Sequence, residues 1–225
     1  NANDPSKGWL KYGHGDAIHI TDIDPDHPGL EIVSCFEGAA WAPYNWALRD
    51  AKSNTVLFGE PGASDFGRVM IGDVLPDVPG LEISTNYDAK GNRTTSLGMG
   101  TNMNIKWAAD MTTQFVNGSR DQDITITGGV NGANKFLTAV GYRTNNDTKG
   151  NPGLVADLFG DSREEIILRR ADSSSLRIFM NTEVSNHKNY TLMHNAHYRV
   201  GIASQNSSYN QPAYTDYYYA SDTDW

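Results

Sequence analysis

Asp22, Asp24 and Asp26 are followed by Glu31 in the stretch TDIDPDHPGLEI. Carboxylates this crowded repel one another unless a cation lies between them. Alternating acids in a tight loop offer the oxygen donors that Ca²⁺ collects at roughly 2.3–2.6 Å. The same plan returns in VMIGDVLPDVPGLEIST, with Asp73, Asp77 and Glu82, and in LVADLFGDSREEIILR, with Asp157, Asp161 and Glu165. Asp/Pro/Gly loops also form turns with no ion at all. Crowding favours Ca²⁺ in the first loop; in the second, where Leu75 replaces an acid, and in the third, both readings stand. In every copy the ion would clamp a loop and do no chemistry. A different donor set lies just upstream. His14 and Asp16 sit two apart on an extended segment and so share a face. Glu37 ends the strand that pairs back towards them, and the three together could hold a metal. A hydrogen-bonded structural histidine is the rival reading.

The elements that position these groups read as strands. The first copy predicts four, over Ala17–Asp22, Leu30–Phe36, Asn45–Asp50 and Thr55–Phe58, with DAKSN turning between the last two. QDITITGG, KFLTAVGYR, SLRIFMNTE (175–183) and YRVGIAS (198–204) also read as strands, FVNGSRDQD (115–123) as a loop, and Asn186–Met193 as a short helical turn. The tail DYYYASDTDW reads as a last strand. Copies begin near residues 17, 67 and 153. Their leading aspartates are 51 and then 84 residues apart. A period near fifty with about four strands per unit predicts an all-β architecture of β-propeller blades.

Composition agrees. In 225 residues, 22 glycines, 11 tyrosines and only 38% apolar residues suit short strands and polar turns better than long helices. The net charge of −9 argues against nucleic acid and anionic membranes as partners. No apolar run reaches transmembrane length. Cys35 is the single cysteine, so no intrachain disulfide forms, and its apolar setting predicts a buried thiol. The chain opens as a fragment would, and no signal peptide is read in it.

Six segments, in this order, resemble polysaccharide lyase family 11, the rhamnogalacturonan lyases: GHGDAIHITDIDPDHPGLEIVSCFE, WALRDA, GRVMIGDVLPDVPGLEI, DTKGNPGLVADLFGDSREEIILR, YTLMHNAHYR and QNSSYNQP. The resemblance runs through nearly the whole chain but covers only the C-terminal part of the family's catalytic propeller, about three to four of eight blades. It implies a secreted enzyme that cleaves the rhamnose–galacturonate backbone of pectin by Ca²⁺-assisted β-elimination. Such a reaction needs charge compensation at the uronate carboxylate, a base for the C5 proton and an acid for the leaving oxygen. Matched to the family's motifs, Lys149 and Tyr209 are the catalytic candidates. Lys149 suits a base only where Ca²⁺ or desolvation lowers its pKa. Asn146 and Thr148 match a substrate-contacting stretch, although Asp147 stands where the family has Gly. Asn206 and Asn210 match positions that help hold Ca²⁺. His14, Asp16 and Glu37 match a calcium site completed by an upstream histidine.

Arg68 and Arg199 are candidates for pairing with a uronate carboxylate, and equally for structural pairing. His194 matches the family as well. Trp41, Tyr44 and Trp46 are candidates for sugar stacking, with packing as the commoner role. The rival to the enzyme is a non-catalytic, calcium-loaded propeller module that binds glycans or proteins. Because part of a propeller leaves open sheet faces and edges, the missing blades are expected from another chain or the remainder of the enzyme.

Overall fold

A computed structural model describes residues 14–37, 43–62, 64–207, 209 and 211–223. Its strands are short, antiparallel and gathered into small sheets. β1 (Ile18–Thr21), β2 (Glu31–Cys35), β3 (Tyr44–Asp50) and β4 (Val56–Pro61) pair in chain order as one meander. Ile18 faces Ser34 across β1–β2, which sets the register and turns Val33 and Cys35 into the core. β5 (Ile71–Gly72) and β6 (Glu82–Ile83) make a two-stranded sheet. A second four-stranded meander follows: β7 (Met103–Ile105), β8 (Gln114–Asn117), β9 (Ile124–Gly128) and β10 (Asn134–Ala139). In the last sheet β13 (Glu165–Arg170) is central. β14 (Leu176–Phe179) lies on one side of it, and β12 (Leu154–Ala156) and β11 (Tyr142–Arg143) pair with it as well.

Two apolar cores hold neighbouring sheets together. Val33, Trp46, Leu48, Ile71 and Ile83 join the first sheet to the second. Met103, Ile105, Val116, Ile126, Val155 and Ile166 join the third to the fourth. Each fully buried large side chain contributes about 1.5–3 kcal/mol. Trp46 is among them: Phe58 and Tyr87 meet its ring edge-on, so packing occupies it.

Each sheet begins with the same loop device. After β1, one oxygen of Glu31 accepts the backbone N–H groups of Ile23 and Asp24. After β5, Glu82 accepts from Val74 and Leu75. After β12, Glu165 accepts from Leu158 and Phe159. After β7 the amide oxygen of Gln114 accepts from Trp107 and Ala108. This fourth copy lies inside the 84-residue interval. It has Lys106 where the others have aspartate and Gln114 where they have glutamate, so a pattern built on acids passes over it. The leading positions 22, 73, 106 and 157 are 51, 33 and 51 residues apart.

Three expectations are corrected. YRVGIAS is not a strand: helix α1 covers Ala196–Ser204. The side chain of Asn195 accepts the Tyr198 N–H, satisfying an orphan donor of the first turn, and buried Tyr198 anchors the helix by donating to Glu164 at 2.6 Å. Phe115–Asn117, read as loop, belongs to β8. The tail is not a strand either; residues 211–223 thread past all four sheets through side-chain bonds. Gln211 meets Asp16 and Ile18, Thr21 donates to Thr215 O, Tyr218 accepts from Gly80, and Tyr219 donates to Ser162 O. The short helical turn expected near Met193 is a 3₁₀ turn over Leu192–His194.

Candidate active site

Strands β1, β5 and β12 each run from one end of the sheets towards an acidic loop at the other. Six residues separate Asp16 from Asp22, roughly 20 Å of extended chain. The residues just before these strands therefore share one rim: His14 and Asp16, then Arg68, then Lys149.

Side chains converge there. Lys149 Nζ donates to Asp16 Oδ2 at 2.9 Å, with Asp16 only 9% exposed. The same ammonium lies 4.0 Å from the centroid of the Tyr209 ring, a cation–π distance. The Arg68 guanidinium is 5.7 Å from that ring, and its Nη1 reaches Asn102 Oδ1 at 3.3 Å and Lys149 O at 3.4 Å. Burial pulls Arg68 below its ordinary pKa, against the nearby Asp16 charge. Burial pushes the Asp16 carboxyl up, but the hydrogen bond and charge of Lys149 prevail and hold it below the usual carboxylate range.

Asp16 is also one of three metal-type ligands. Donor atoms of His14, Asp16 and Glu37 lie within 4.8 Å of one another, and His14 Nδ1 is 2.9 Å from Glu37 Oε2. Among the described residues this is the one such group of three or more. It is built by close approach of two backbones: Gly15 packs so tightly that a Cβ there would sit 1.8 Å from Cys35 O.

Lys149 is carried on a compact loop. Asn145 and Asn151 close its base with reciprocal backbone bonds of 2.6 and 3.1 Å, and residues Asp147–Lys149 form a 3₁₀ turn. Asn146 and Asp147 are left-handed, with φ 58° and 48°. Asp147 occupies the place where the resemblance expects glycine, and its charge is met by Arg120 Nε at 2.7 Å. Asn146 and Thr148 are exposed at the loop's tip, beside Lys149. Asn206 approaches from the end of α1, where its side chain donates to Gly153 O at 2.8 Å and accepts from Asn151 at 3.4 Å. Asn210 and Trp41 lie outside the described residues.

Arg199 does not join this group. Its guanidinium donates to Met193 O and His194 O at 2.8 and 2.9 Å, about two helical turns from Asn206. His194 is exposed next to Tyr190, away from the rim.

The acidic loops lie at the other end, and most of their carboxylates already have partners within the protein. Among the described residues, none of these loops gathers three metal-type donors as His14, Asp16 and Glu37 are gathered. Lys90 lies between Asp24 and Asp26, at 2.8 Å from the latter, so the cation among the crowded acids is an ammonium. Glu31 caps its loop and bonds His27 at 2.7 Å. Asp22 keeps one buried oxygen without a hydrogen bond, and burial, then Glu31 and Asp24, push its carboxyl up to about 6. In the second loop Asp73 accepts the Ser221 N–H, Asp77 is exposed, and Glu82 caps. Asp157 is saturated by donors from Gly160, Ser162, Thr191 and Leu192, Asp161 pairs with Arg163 at 2.7 Å, and Glu165 caps. The sequence reading passed over two residues that lock this framework, buried His19 and partly buried Lys106. His19 bridges Val69 O and Tyr214 OH at 2.8 and 2.9 Å, and burial lowers it to about 4. Lys106 is partly buried, donates its ammonium to Met111 O at 3.3 Å and feels the charges of Asp73, Glu164 and Asp110.

The family model described as "Rhamnogalacturonan lyase family 11, C-terminal domain" matches residues 6–224. The chain belongs to rhamnogalacturonan lyase family 11. It is 42% identical over 210 residues to the rhamnogalacturonan endolyase YesW of Bacillus subtilis, covering 92% of this chain and 33% of that protein. It is 40% identical to the exolyase YesX of the same organism, again over 92% of this chain and 37% of the relative. The crystal structures of YesX and YesW each superpose with a TM-score of 0.86, over 95% of this chain and 38% and 37% of theirs. The chain thus spans about a third of the length of the family 11 relatives it matches.

Proposed function

We propose that this chain forms the C-terminal part of the catalytic module of a rhamnogalacturonan lyase, and that its four small sheets are blades of a larger β-propeller. The observation that carries the reading is the meeting of Lys149, Tyr209, Asp16 and Arg68, brought from four separate stretches of chain to one rim. The substrate is the rhamnogalacturonan backbone of pectin, a polymer too large to be taken up whole, which makes the protein a secreted one. The remaining blades complete the cleft.

The reaction is β-elimination. The bond from C5 of a galacturonate to its hydrogen breaks and the proton goes to a base. The electron pair becomes the C4–C5 double bond. The C4–oxygen bond breaks, and the departing oxygen takes a proton. Lys149 and Tyr209 are the two proton-transfer groups, one on each side of the exchange. Arg68 lies where it can pair with the uronate carboxylate. Asn146 and Thr148 at the exposed loop tip are substrate contacts.

Ca²⁺ fits His14, Asp16 and Glu37, whose hard oxygen donors and imidazole converge on one point. When bound, it supplies positive charge beside the acidic sugar. Asp16 would help hold the ion and also orients Lys149 through its hydrogen bond. Asn206 and Asn210 are oxygen donors for a second ion. In the acidic loops, Asp22 and Glu82 each keep one buried oxygen without a hydrogen bond, and Asp22 is the one set among further acids, Asp24 and Glu31, that would accept a cation.

The test is incubation of the intact protein with rhamnogalacturonan I, following absorbance of the unsaturated uronate with Ca²⁺ and after chelation. Signal that appears with Ca²⁺ and fades with chelator is expected. Tight polysaccharide binding without any unsaturated product would replace the enzyme with a non-catalytic binding module.

A further inference from the structure

The tip of the loop that carries Lys149 has little packing to fix it, while Arg68 holds Lys149 O and Gly150 packs against Asn102 at the loop's end. Residues 145–148 are exposed, and Asn146 and Asp147 hold left-handed backbone, a costly conformation for residues with a side chain. Something outside the loop must offset that cost. At the tip, the Arg120–Asp147 pair has both side chains more than 60% exposed, so solvent screens it and it contributes little. At the base the tether is stronger. Arg169, on β13, donates Nε to Asn145 Oδ1 at 2.9 Å and Nη2 to Thr144 O at 3.2 Å. Its Nη1 reaches Ala171 O at 3.4 Å, in the turn that leaves β13. One planar fork thus joins the central strand of the sheet to the residue whose backbone pairs with Asn151 and closes the loop.

We propose that Arg169 is a positioning residue for Lys149: it fixes the base of the loop so that the 3₁₀ turn delivers the ammonium to Asp16 and the Tyr209 ring. The inference rests on the reading that Lys149 transfers a proton. Arg169 touches no reacting atom. Its geometry matters as much as its charge, because a lysine ammonium cannot place two donors along the two directions that Asn145 and Thr144 require.

The experiment uses the intact protein with Arg169→Ala, Arg169→Lys and Lys149→Ala. Displacing a catalytic group by about 1 Å costs on the order of 10²-fold in rate. Arg169→Ala is expected to lower kcat roughly 10–100-fold with KM changed less than about twofold, the pattern of a lost transition-state interaction. Arg169→Lys falls between it and the parent. Added guanidinium restores part of the Arg169→Ala turnover, and methylammonium does not; a merely structural role would show no such selectivity. Asn145→Ala removes the acceptor from the other side and gives the same split where an arginine variant fails to fold. An unchanged kcat in Arg169→Ala, alongside an inactive Lys149→Ala, overturns the proposal and leaves the reading of the site intact. A fully active Lys149→Ala overturns that reading and the proposal with it.

Discussion

Glu82→Gln tests the loop device by a substitution the protein has already made once. Glu82 and Gln114 do the same job, each accepting two backbone N–H groups with one side-chain oxygen. Glu82 carries a second, buried oxygen with no hydrogen-bond partner. Burial, aided by the Asp73 charge, pushes its carboxyl up to about 8 from an ordinary 4.5, although the two N–H donors oppose the rise. The sign follows from linkage. A carboxyl raised in the folded state stays protonated there while the unfolded chain releases its proton, so stability present below pH 4.5 is lost progressively as pH climbs towards 8. At pH 7, about 2.5 pH units above the unfolded pKa, the unfolded carboxyl is almost fully ionised while the folded one is mostly protonated, a cost of about 3 kcal/mol. Glutamine keeps the acceptor and cannot ionise. In chelator, Glu82→Gln is therefore expected to match the parent at pH 4 and to exceed it by about 3 kcal/mol at pH 7, or roughly 6–12 °C in Tm. Thermal unfolding across that pH range reads it out. A variant less stable than the parent at pH 7 refutes the reasoning, because it means that the folded carboxylate is charged and usefully paired.

Other consequences follow from the same contacts. Lys90→Met leaves Asp24 and Asp26 without their ammonium; Tm is expected to drop by roughly 2–4 °C in chelator, from a pair contributing up to about 1 kcal/mol, and millimolar Ca²⁺ should stabilise the variant more than the parent. Lys106→Met removes a positive charge that acts on buried Asp73 and Glu164 from beyond ion-pair distance and leaves Met111 O without its donor; it is expected to cost about 1–3 kcal/mol by denaturant unfolding, part of it recovered by adding Glu164→Gln. Gly150→Ala puts a Cβ 2.4 Å from Asn102 Nδ2 and 2.8 Å from Gly118 O at φ +64°, so the Lys149 loop must shift; kcat is expected to fall at least about 10-fold, with a stability loss of about 1–3 kcal/mol.

Strands were legible wherever alternating apolar residues met a turn signal, as in the whole first meander. The fourth copy of the loop was not, because the pattern in view was acidic and Lys106 and Gln114 keep the geometry while changing the charge. The helix was hidden by Val200 and Ile202, whose spacing of two mimics a strand; the deciding feature, Asn195 capping Tyr198, is a single bond. The tail could not be read at all, since its place depends on partners 57 to as many as 195 residues away in sequence. For the site, His14, Asp16 and Glu37 were visible from face and spacing. Lys149 and Tyr209 emerged only through family resemblance, because neither has a local pattern that sets it apart. The pairing of Lys149 with Asp16 spans 133 residues and belongs to tertiary structure alone.

The central claim is that Lys149 and Tyr209 act as one proton-transfer unit. The most direct measurement is the initial rate of unsaturated-uronate formation from rhamnogalacturonan I by Lys149→Ala, Tyr209→Phe and the double variant, with folding checked by circular dichroism. Each single change is predicted to cost at least about 10³-fold in kcat, and the double to cost little more than the worse single, as residues acting together do. A single variant that keeps its rate within about tenfold of the parent would contradict the account.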